Sequence, residues 1–377
     1  MVGSHETQGP GAGADGTGGR FAGGTAGRVP GPLVRDLSEA ELLARIVPLL
    51  PRGETTIVPS GDDSAVLGLS DGRVTVSTDM LVEGVHFRRD WFNGRDVGWR
   101  VAAQNIADAV AMGARPRSLV VAMELPGDVP VAWVADIARG LAEYCGPLGC
   151  GVDGGDLVSG SHIAISATIL GDLEGRTPLR RSAAAPGQPL IHCGNLGRAA
   201  AGFELLNRGF APDRGAFPDA ATRLMQDFLR PRPPVPAVLS AVRAGLRGAM
   251  MDVSDGLIRD AQRIAAASGV HIDIHSETLN RHAQDLLEVA RHLGRSDPLE
   301  WAYDCVLSGG EDHGFLATMD VSPERAWGAR IPHLPEGFSL IGTVEAAHPA
   351  GLVTVDGRAW NRGNGWDHFR RPSQTLN

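Results

Sequence analysis

Lysine is absent from this chain of 377 residues; all 35 of its basic side chains are arginine. That absence removes several catalytic designs at once. A Walker A loop needs Gly-Lys-Ser/Thr, and the protein-kinase pattern needs a lysine on a strand. Schiff-base and pyridoxal-phosphate chemistry need a lysine amine. Cysteine is scarce as well. Cys145, Cys150, Cys193 and Cys305 form no C-x-x-C pair, so neither a zinc ribbon nor a thioredoxin-like site is supported. They read as reduced thiols of a cytoplasmic protein. No apolar run approaches the roughly 18 residues of a membrane-spanning helix, and the N-terminus lacks an apolar signal-peptide core. Positive charge is in deficit. A net charge of −9 argues against a nucleic-acid binder. It suits a protein that gathers divalent cations, although mild acidity also serves solubility.

Glycine, by contrast, is abundant at 50 residues. Part of it lies in residues 1 to 34, which carry almost no bulky apolar side chains. Such a segment cannot bury enough surface to offset its ordering entropy, so a disordered tail is expected there. Folded structure is expected from near Asp36. Ser38 with Glu41 forms a capping-box pattern ahead of Leu42, Leu43, Ile46, Leu49 and Leu50. The alternation of Val74 to Asp79 predicts a strand ending on an acid. Asp96 to Met112 and Val131 to Tyr144 read as helices, and Ser118 to Met123 and Ile163 to Leu170 as strands. In a second half, Pro189 to Cys193 reads as a strand and Arg198 to Asn207 as a helix. The proline-rich stretch Arg230 to Pro236 is an extended connector. Val235 to Ala244 and Gly256 to Ala267 read as helices. Cys305 to Ser308, Gly314 to Thr318 and Ser339 to Thr343 read as strands. Strands and helices mix throughout, so the fold class is α/β or α+β in two lobes. The expected division is a tail (1–34), an N-terminal domain (35–178) and a C-terminal domain (179–377).

The rest of the glycine stands beside aspartate. The segments are Ser60-Gly-Asp-Asp-Ser64, Ser77-Thr-Asp79, Gly154-Gly-Asp156 and Asp252-Val-Ser-Asp-Gly256, and Asn105-Ile-Ala-Asp108 adds an acid on a predicted helix. Most are expected at strand ends or strand-to-helix turns. Magnesium takes a few carboxylates, several waters and substrate phosphates, and glycine lets backbone approach an anion closely. Singly, each motif has an ordinary explanation. Gly-Asp pairs are common in turns, and Asp255 stands where a helix cap would. Their joint occurrence is the signal.

The order and spacing of eight segments resemble thiamine-monophosphate kinases, a family related to aminoimidazole ribonucleotide synthetase and selenophosphate synthetase. They are SGDDSAVL (60–67), STDMLVEGVHF (77–87), QNIADAVAMGARP (104–116), GGDLVSG (154–160), RRSAAAPGQ (180–188), MMDVSDGLIRDAQRIA (250–265), LSGGED (307–312) and GWDHF (365–369). The resemblance implies an aminoimidazole ribonucleotide synthetase-like fold whose N-terminal lobe pairs with its twin in a homodimer. It implies transfer of phosphate from ATP to thiamine monophosphate with Mg²⁺ ions. Carried over residue by residue, Asp63, Ser77, Thr78, Asp79, Asp108, Asp156, Asp252 and Asp255 hold magnesium. Gly155, Asp156, Arg181 and Ser254 contact ATP, while His86, Glu311 and Trp366 face the acceptor. No covalent phospho-enzyme and no strong general base are expected, because the acceptor phosphate is already ionised. Three positions depart from the family: Ala107 replaces a usual serine, Leu157 a usual threonine, and His313-Gly314 a tyrosine and an acid. They keep open a relative acting on another phosphorylated substrate, or a non-catalytic nucleotide-binding protein. Selenophosphate synthetase is disfavoured, because its reactive Cys or selenocysteine and neighbouring Lys have no counterpart.

Overall fold

The computed structural model describes residues 31–61, 64–212, 219–320, 334–347, 352–363 and 365. The expected tail up to residue 30, Asp63 and Trp366 lie outside the described residues. Packing begins slightly before the expected start, because Leu33 already bridges to Pro130.

The N-terminal half runs α1 (Glu39–Ile46), β1 (Thr56–Val58), β2 (Val66–Leu67), β3 (Thr75–Val82), α2 (Gly94–Ala111), β4 (Arg115–Leu125), α3 (Val131–Cys145), β5 (Gly151–Ser159) and β6 (Ala164–Asp172). The predicted capping box opens α1: Glu41 N–H donates to Ser38 Oγ at 3.3 Å and Ser38 N–H to Glu41 Oε2 at 2.8 Å. Four strands form one sheet in the order β3-β6-β4-β5. Helix α2 lies against β3 and β6, with α3 packed on it. Fifteen of the 18 residues of α2 are buried, so the helix is enclosed on nearly all sides. Glycine sets its distance from α3. A Cβ on Gly98 would sit 2.0 Å from the Ile137 carbonyl oxygen, and one on Gly140 would sit 2.1 Å from that of Arg95.

The C-terminal half runs β7 (Pro189–Cys193), α4 (Arg198–Asn207), α5 (Asp219–Leu229), α6 (Val235–Arg243), β8 (Met250–Val253), α7 (Leu257–Ser268), β9 (Val270–Ile274), α8 (Asn280–His292), α9 (Pro298–Ser308), β10 (Gly314–Thr318), β11 (Phe338–Ala346), β12 (Val353–Val355) and β13 (Arg358–Ala359). Seven strands form a mixed sheet in the order β13-β12-β9-β11-β7-β10-β8. The parallel pair within it is β12 with β9. Helix α2 also touches β8, α5 and α6, so it is shared between the halves.

One expected strand is a helix. Cys305 to Ser308 forms the last turn of α9. A four-residue apolar run has no decisive period, whereas the upstream signals do decide. Asp297 Oδ1 accepts from Glu300 N–H at 2.8 Å, and Pro298 takes the first helical position. The Gly154-Gly155-Asp156 motif is also displaced from expectation, since it lies inside β5 and not in a turn. No helix among the described residues is long and apolar enough to cross a membrane.

The α2–α3 contact yields a stability test. Gly98→Ala gains helix propensity, yet it drives a methyl into the Ile137 carbonyl, for a net loss of about 2 kcal/mol. Gly146→Ala, where a Cβ meets nothing within 4 Å, stays within about 0.5 kcal/mol of the parent. Urea denaturation of both variants measures this, and equal midpoints would refute the close-packing account.

Candidate active site

A strand exposes alternate residues on alternate faces. On β3 this sends Ser77, Asp79 and Leu81 toward α2. Ser77 Oγ donates to Asp108 Oδ2 at 2.5 Å, and Asp79 N–H donates to Asn105 Oδ1 at 3.2 Å. Both partners belong to α2. Asp252 at the end of β8 joins them from the other half. Burial raises the Asp108 carboxyl, and the charges of Asp252 and Asp79 raise it further, to about 7. Burial also raises Asp79, with Asp252, Glu311 and Asp255 adding to the effect and His313 opposing it. These carboxylates crowd one another, and His313 offsets part of their charge.

A second set of groups alternates in charge. Arg100 of α2 donates to Glu311 Oε2. His313 Nε2 lies 3.5 Å from the same oxygen, and its Nδ1 lies 3.3 Å from Asp252 Oδ2. Burial alone would push the Glu311 carboxyl up, but Arg100 and His313 outweigh it and bring it to about 2. Burial would lower His313, yet its contacts with Asp252 and Glu311 raise it to about 10. The loop holding these residues is pinned. Glu311 N–H donates to Ser254 O at 2.8 Å and His313 N–H to Val253 O at 3.0 Å. Asp312 turns away to accept from Gly197 N–H at 2.6 Å and Ala199 N–H at 2.8 Å, at the start of α4. The backbone twists to do this: φ is +73° at Glu311 and +52° at His313, values that non-glycine residues adopt uncommonly.

Beside Glu311 a cavity of about 160 Å³ opens. A cavity of about 150 Å³ accepts a benzene ring, so this one has room for a single heteroaromatic ring. Its apolar wall is Trp91, Phe203 and Phe228, which meet edge to face or tilted with centroids 5.4 to 6.5 Å apart. Its polar side includes His86, Arg88, Arg100 and Glu311. His86 Nδ1 accepts from Val82 N–H at 3.0 Å, which makes Nε2 the protonated nitrogen of the neutral ring. His86 and Glu311 are among the residues expected from the sequence; Arg100 and the three aromatics are not. The one available signal was the rarity of aromatic residues, 5% of the chain.

The remaining candidates do not converge on this centre. Thr78 and Asp156 lie on the opposite, solvent-facing side of the four-stranded sheet. Thr78 pairs with Thr168, Thr168 with Val120 and Val120 with Gly154, two residues before Asp156. Three strand spacings, about 14 Å, separate them. Gly155 has a packing reason to be glycine, because a Cβ would lie 2.0 Å from the Val121 carbonyl oxygen. Arg181 is exposed in a short turn, with its own carbonyl accepting from Ser268 Oγ. Ser254 sits in the loop after β8. Asp255 does not cap α7 with its side chain; it pairs with Arg263 at 2.5 Å. Among the described residues, no three His, Cys, Asp or Glu side chains form a ready-made metal cage.

Known proteins share the sequence and the fold of this chain. Residues 61–173 match the model of the AIR synthase related protein, N-terminal domain, and residues 185–349 match that of its C-terminal domain. The chain is 40% identical to the thiamine-monophosphate kinase of Mycobacterium tuberculosis over 90% of its own length and 94% of the relative's. It is 36% identical to that of Corynebacterium glutamicum, over 90% and 96%. Among solved structures it resembles "AaThiL complexed with AMPPCP and TMP", with a TM-score of 0.67, 32% identity, and coverage of 82% of this chain and 91% of that one. It also resembles the thiamine-monophosphate kinase of Stenotrophomonas maltophilia, with a TM-score of 0.69, 29% identity and coverage of 85% and 96%. Order of motifs, paired sheets and sequence identity agree: the chain belongs to the thiamine-monophosphate kinase family.

Proposed function

We propose that this chain moves the γ-phosphoryl group of ATP onto thiamine monophosphate, giving thiamine diphosphate and ADP, with Mg²⁺ ions held at the crowded carboxylates. The observation that carries the reading is the adjacency of two features. A ring-sized aromatic cavity and the Asp79–Asp108–Asp252 cluster meet at Glu311. In the proposed roles, the cavity takes a heterocycle of the acceptor, with Glu311 and His86 as its polar contacts and Trp366 as a further one. Asp63, Ser77, Thr78, Asp79, Asp108, Asp156, Asp252 and Asp255 serve as magnesium ligands. Gly155, Asp156, Arg181 and Ser254 contact ATP, where the Arg181 guanidinium supplies the phosphate-matching fork that no lysine is present to replace.

An oxygen of the acceptor phosphate attacks the γ-phosphorus. The new O–P bond forms as the bond to the β-phosphate oxygen breaks, and that electron pair leaves with ADP. The acceptor is already an anion, so the protein's work is to position and to neutralise. Asp79, Asp108 and Asp252 would hold Mg²⁺, which would supply charge neutralisation for the transferring phosphate. The raised Asp108 and Asp79 carboxyls fit such an ion: a divalent cation relieves the repulsion that raises them.

The remaining parts of the reading concern assembly and location. The outward face of the four-stranded sheet exposes Val76, Met80, Val120 and Val158 beside Thr78 and Asp156. A contiguous apolar face marks an interaction surface, and a second copy of the chain is the proposed occupant. The domain division proposed is 35–178 and 179–377, supported by matched segments that end at residue 173 and resume at residue 185. The four free thiols support a reducing, cytoplasmic setting.

The direct test is ADP release from ATP and Mg²⁺ with and without thiamine monophosphate. Acceptor-dependent release with thiamine diphosphate as product is expected. Release dependent on some other phosphate acceptor, or none at all in a protein that binds ATP, would overturn the reading. The carboxylate crowding adds a pH test. With a folded-state pKa near 7 against an ordinary value of 3.8, folded Asp108 holds a proton that the unfolded chain has lost. Stability of the metal-free protein therefore falls as pH rises between those values. Asp108→Asn is expected to match the parent near pH 4 and to exceed it by about 2 kcal/mol at pH 8 in EDTA; parallel pH curves would contradict this. Finally, Met80→Arg should turn a dimer into a monomer by size-exclusion chromatography with light scattering. A monomeric parent would remove the second copy from the scheme.

A further inference from the structure

The guanidinium of Arg100 is enclosed by groups of both halves of the molecule. The side chain is 1% exposed. One amino group of the fork donates to Glu311 Oε2 and the other to the backbone carbonyl of Phe228. Its carbon lies 4.7 Å from the centroid of the Phe228 ring and 5.8 Å from that of Phe92. Arg100 comes from α2, Phe228 from α5, and Glu311 from the loop before β10. One side chain thus links the aromatic wall of the cavity to the Glu311 carboxylate, and itself lines the same cavity.

Glu311 depends on that link. Its side chain is 36% exposed, open toward the cavity, and its backbone is held at positive φ. The other cation near its carboxylate oxygen, His313, stands off at 3.5 Å. Of the two contacts to the Glu311 carboxylate, Arg100 makes the shorter and His313 the longer. A lysine in place of Arg100 would carry the charge but not the planar fork that reaches two acceptors in fixed directions.

We propose that Arg100 is a positioning residue for the phosphate acceptor, acting through Glu311. It aims the carboxylate at the acceptor's cationic or N–H-bearing ring and fixes the distance between that carboxylate and the Phe228 wall. The proposal rests on the reading that the cavity binds thiamine monophosphate and that Glu311 contacts it. It assigns to Arg100 an effect on acceptor binding that is carried by Glu311, and no separate effect on nucleotide binding.

A double-mutant cycle tests this, because residues that act through one contact are non-additive while independent ones add. Thiamine monophosphate is titrated calorimetrically into the full-length protein with Mg²⁺ and a non-hydrolysable ATP analogue. The proteins are the parent, Arg100→Met, Glu311→Gln and the double variant. Each single change is expected to weaken acceptor binding about 10-fold or more. Arg100→Met adds less than about 2-fold once Glu311 is Gln, and affinity for the ATP analogue stays within about 3-fold throughout. In turnover, KM for the acceptor rises more than kcat falls. Arg100→Lys recovers part of the loss, and it carries the cycle if the Met variant does not fold by thermal melting. Additive losses, or a folded Arg100 variant with parental acceptor affinity, overturn the proposal while leaving the reaction assignment intact. A parent protein that binds the ATP analogue but no thiamine monophosphate sinks the assignment itself.

Discussion

Negative charge packed where α2, β3 and β8 meet is the constraint on which the rest of the site depends. Asp79, Asp108, Asp252 and Glu311 come together there from both halves of the chain, and the groups facing them divide them into two kinds. Glu311 has a buried guanidinium on one oxygen and is ionised well below the usual carboxylate range. Asp108 has a serine hydroxyl and two neighbouring aspartates, and its carboxyl sits near 7. The protein satisfies the first acid by itself and leaves the second in want of a cation. Burying like charges costs several kcal/mol unless something neutralises them. The crowded carboxylates around Asp108 are therefore the natural place for an ion that arrives with phosphate.

That division depends on α2 being fixed. The helix presents Arg100 to one side of the site and Asp108 to the other, about two turns apart. Enclosure on nearly every face holds it there, with Gly98 and Gly140 letting α3 approach to backbone contact. Ala107 is understandable in the same terms. It is fully buried, and a hydroxyl at such a position needs a partner, whereas a methyl does not. His313 has more consequence than its neighbour Gly314. It places a buried cation between Glu311 and Asp252, so this chain offsets part of its acidic crowding internally, in a place where a tyrosine would bring no charge.

Much of this was legible in the chain. The alternation of Val74 to Asp79, the long apolar helix that follows, and the capping box at Ser38 are local signals with local causes, and the structure realises them, except that the strand does not end on Asp79 but continues through Met80 and Leu81 to Val82. Cys305 to Ser308 was misread because four apolar residues fit a strand and the end of a helix equally well; the deciding cap lay eight residues upstream. Gly154-Gly155-Asp156 was expected at a strand end or turn because glycine beside aspartate favours turns, yet the close approach of β4 fixes Gly155 inside a strand. The aromatic wall had no readable signature beyond the rarity of its residue types. Trp91, Phe203 and Phe228 are far apart in sequence and share no spacing, and only the packing of α2, α4 and α5 gathers them. Arg100 was hidden for a related reason: an arginine on a helix is ordinarily solvated, and its burial depends on partners more than 120 residues away.

The alternation of a strand also limits how the ligands implied by the family resemblance can act. Ser77, Thr78 and Asp79 are consecutive on β3, so Ser77 and Asp79 face α2 while Thr78 faces out. Asp156 faces out as well, on the far edge strand of the same sheet. Within a single chain the two groups are on different sides of a sheet, and Mg²⁺, with ligands at about 2.0–2.1 Å, cannot bridge them. The eight residues therefore cannot form one cage. In the proposed scheme Asp79, Asp108 and Asp252 form one centre, on the side of the aromatic cavity. Thr78 and Asp156 belong to the outward face, on the two opposite edge strands of the sheet. A second copy laid on that face would cover the exposed valines and Met80 and would bring another sheet's outward residues against them. On this argument the exposed apolar face and the split ligand set are two consequences of one arrangement.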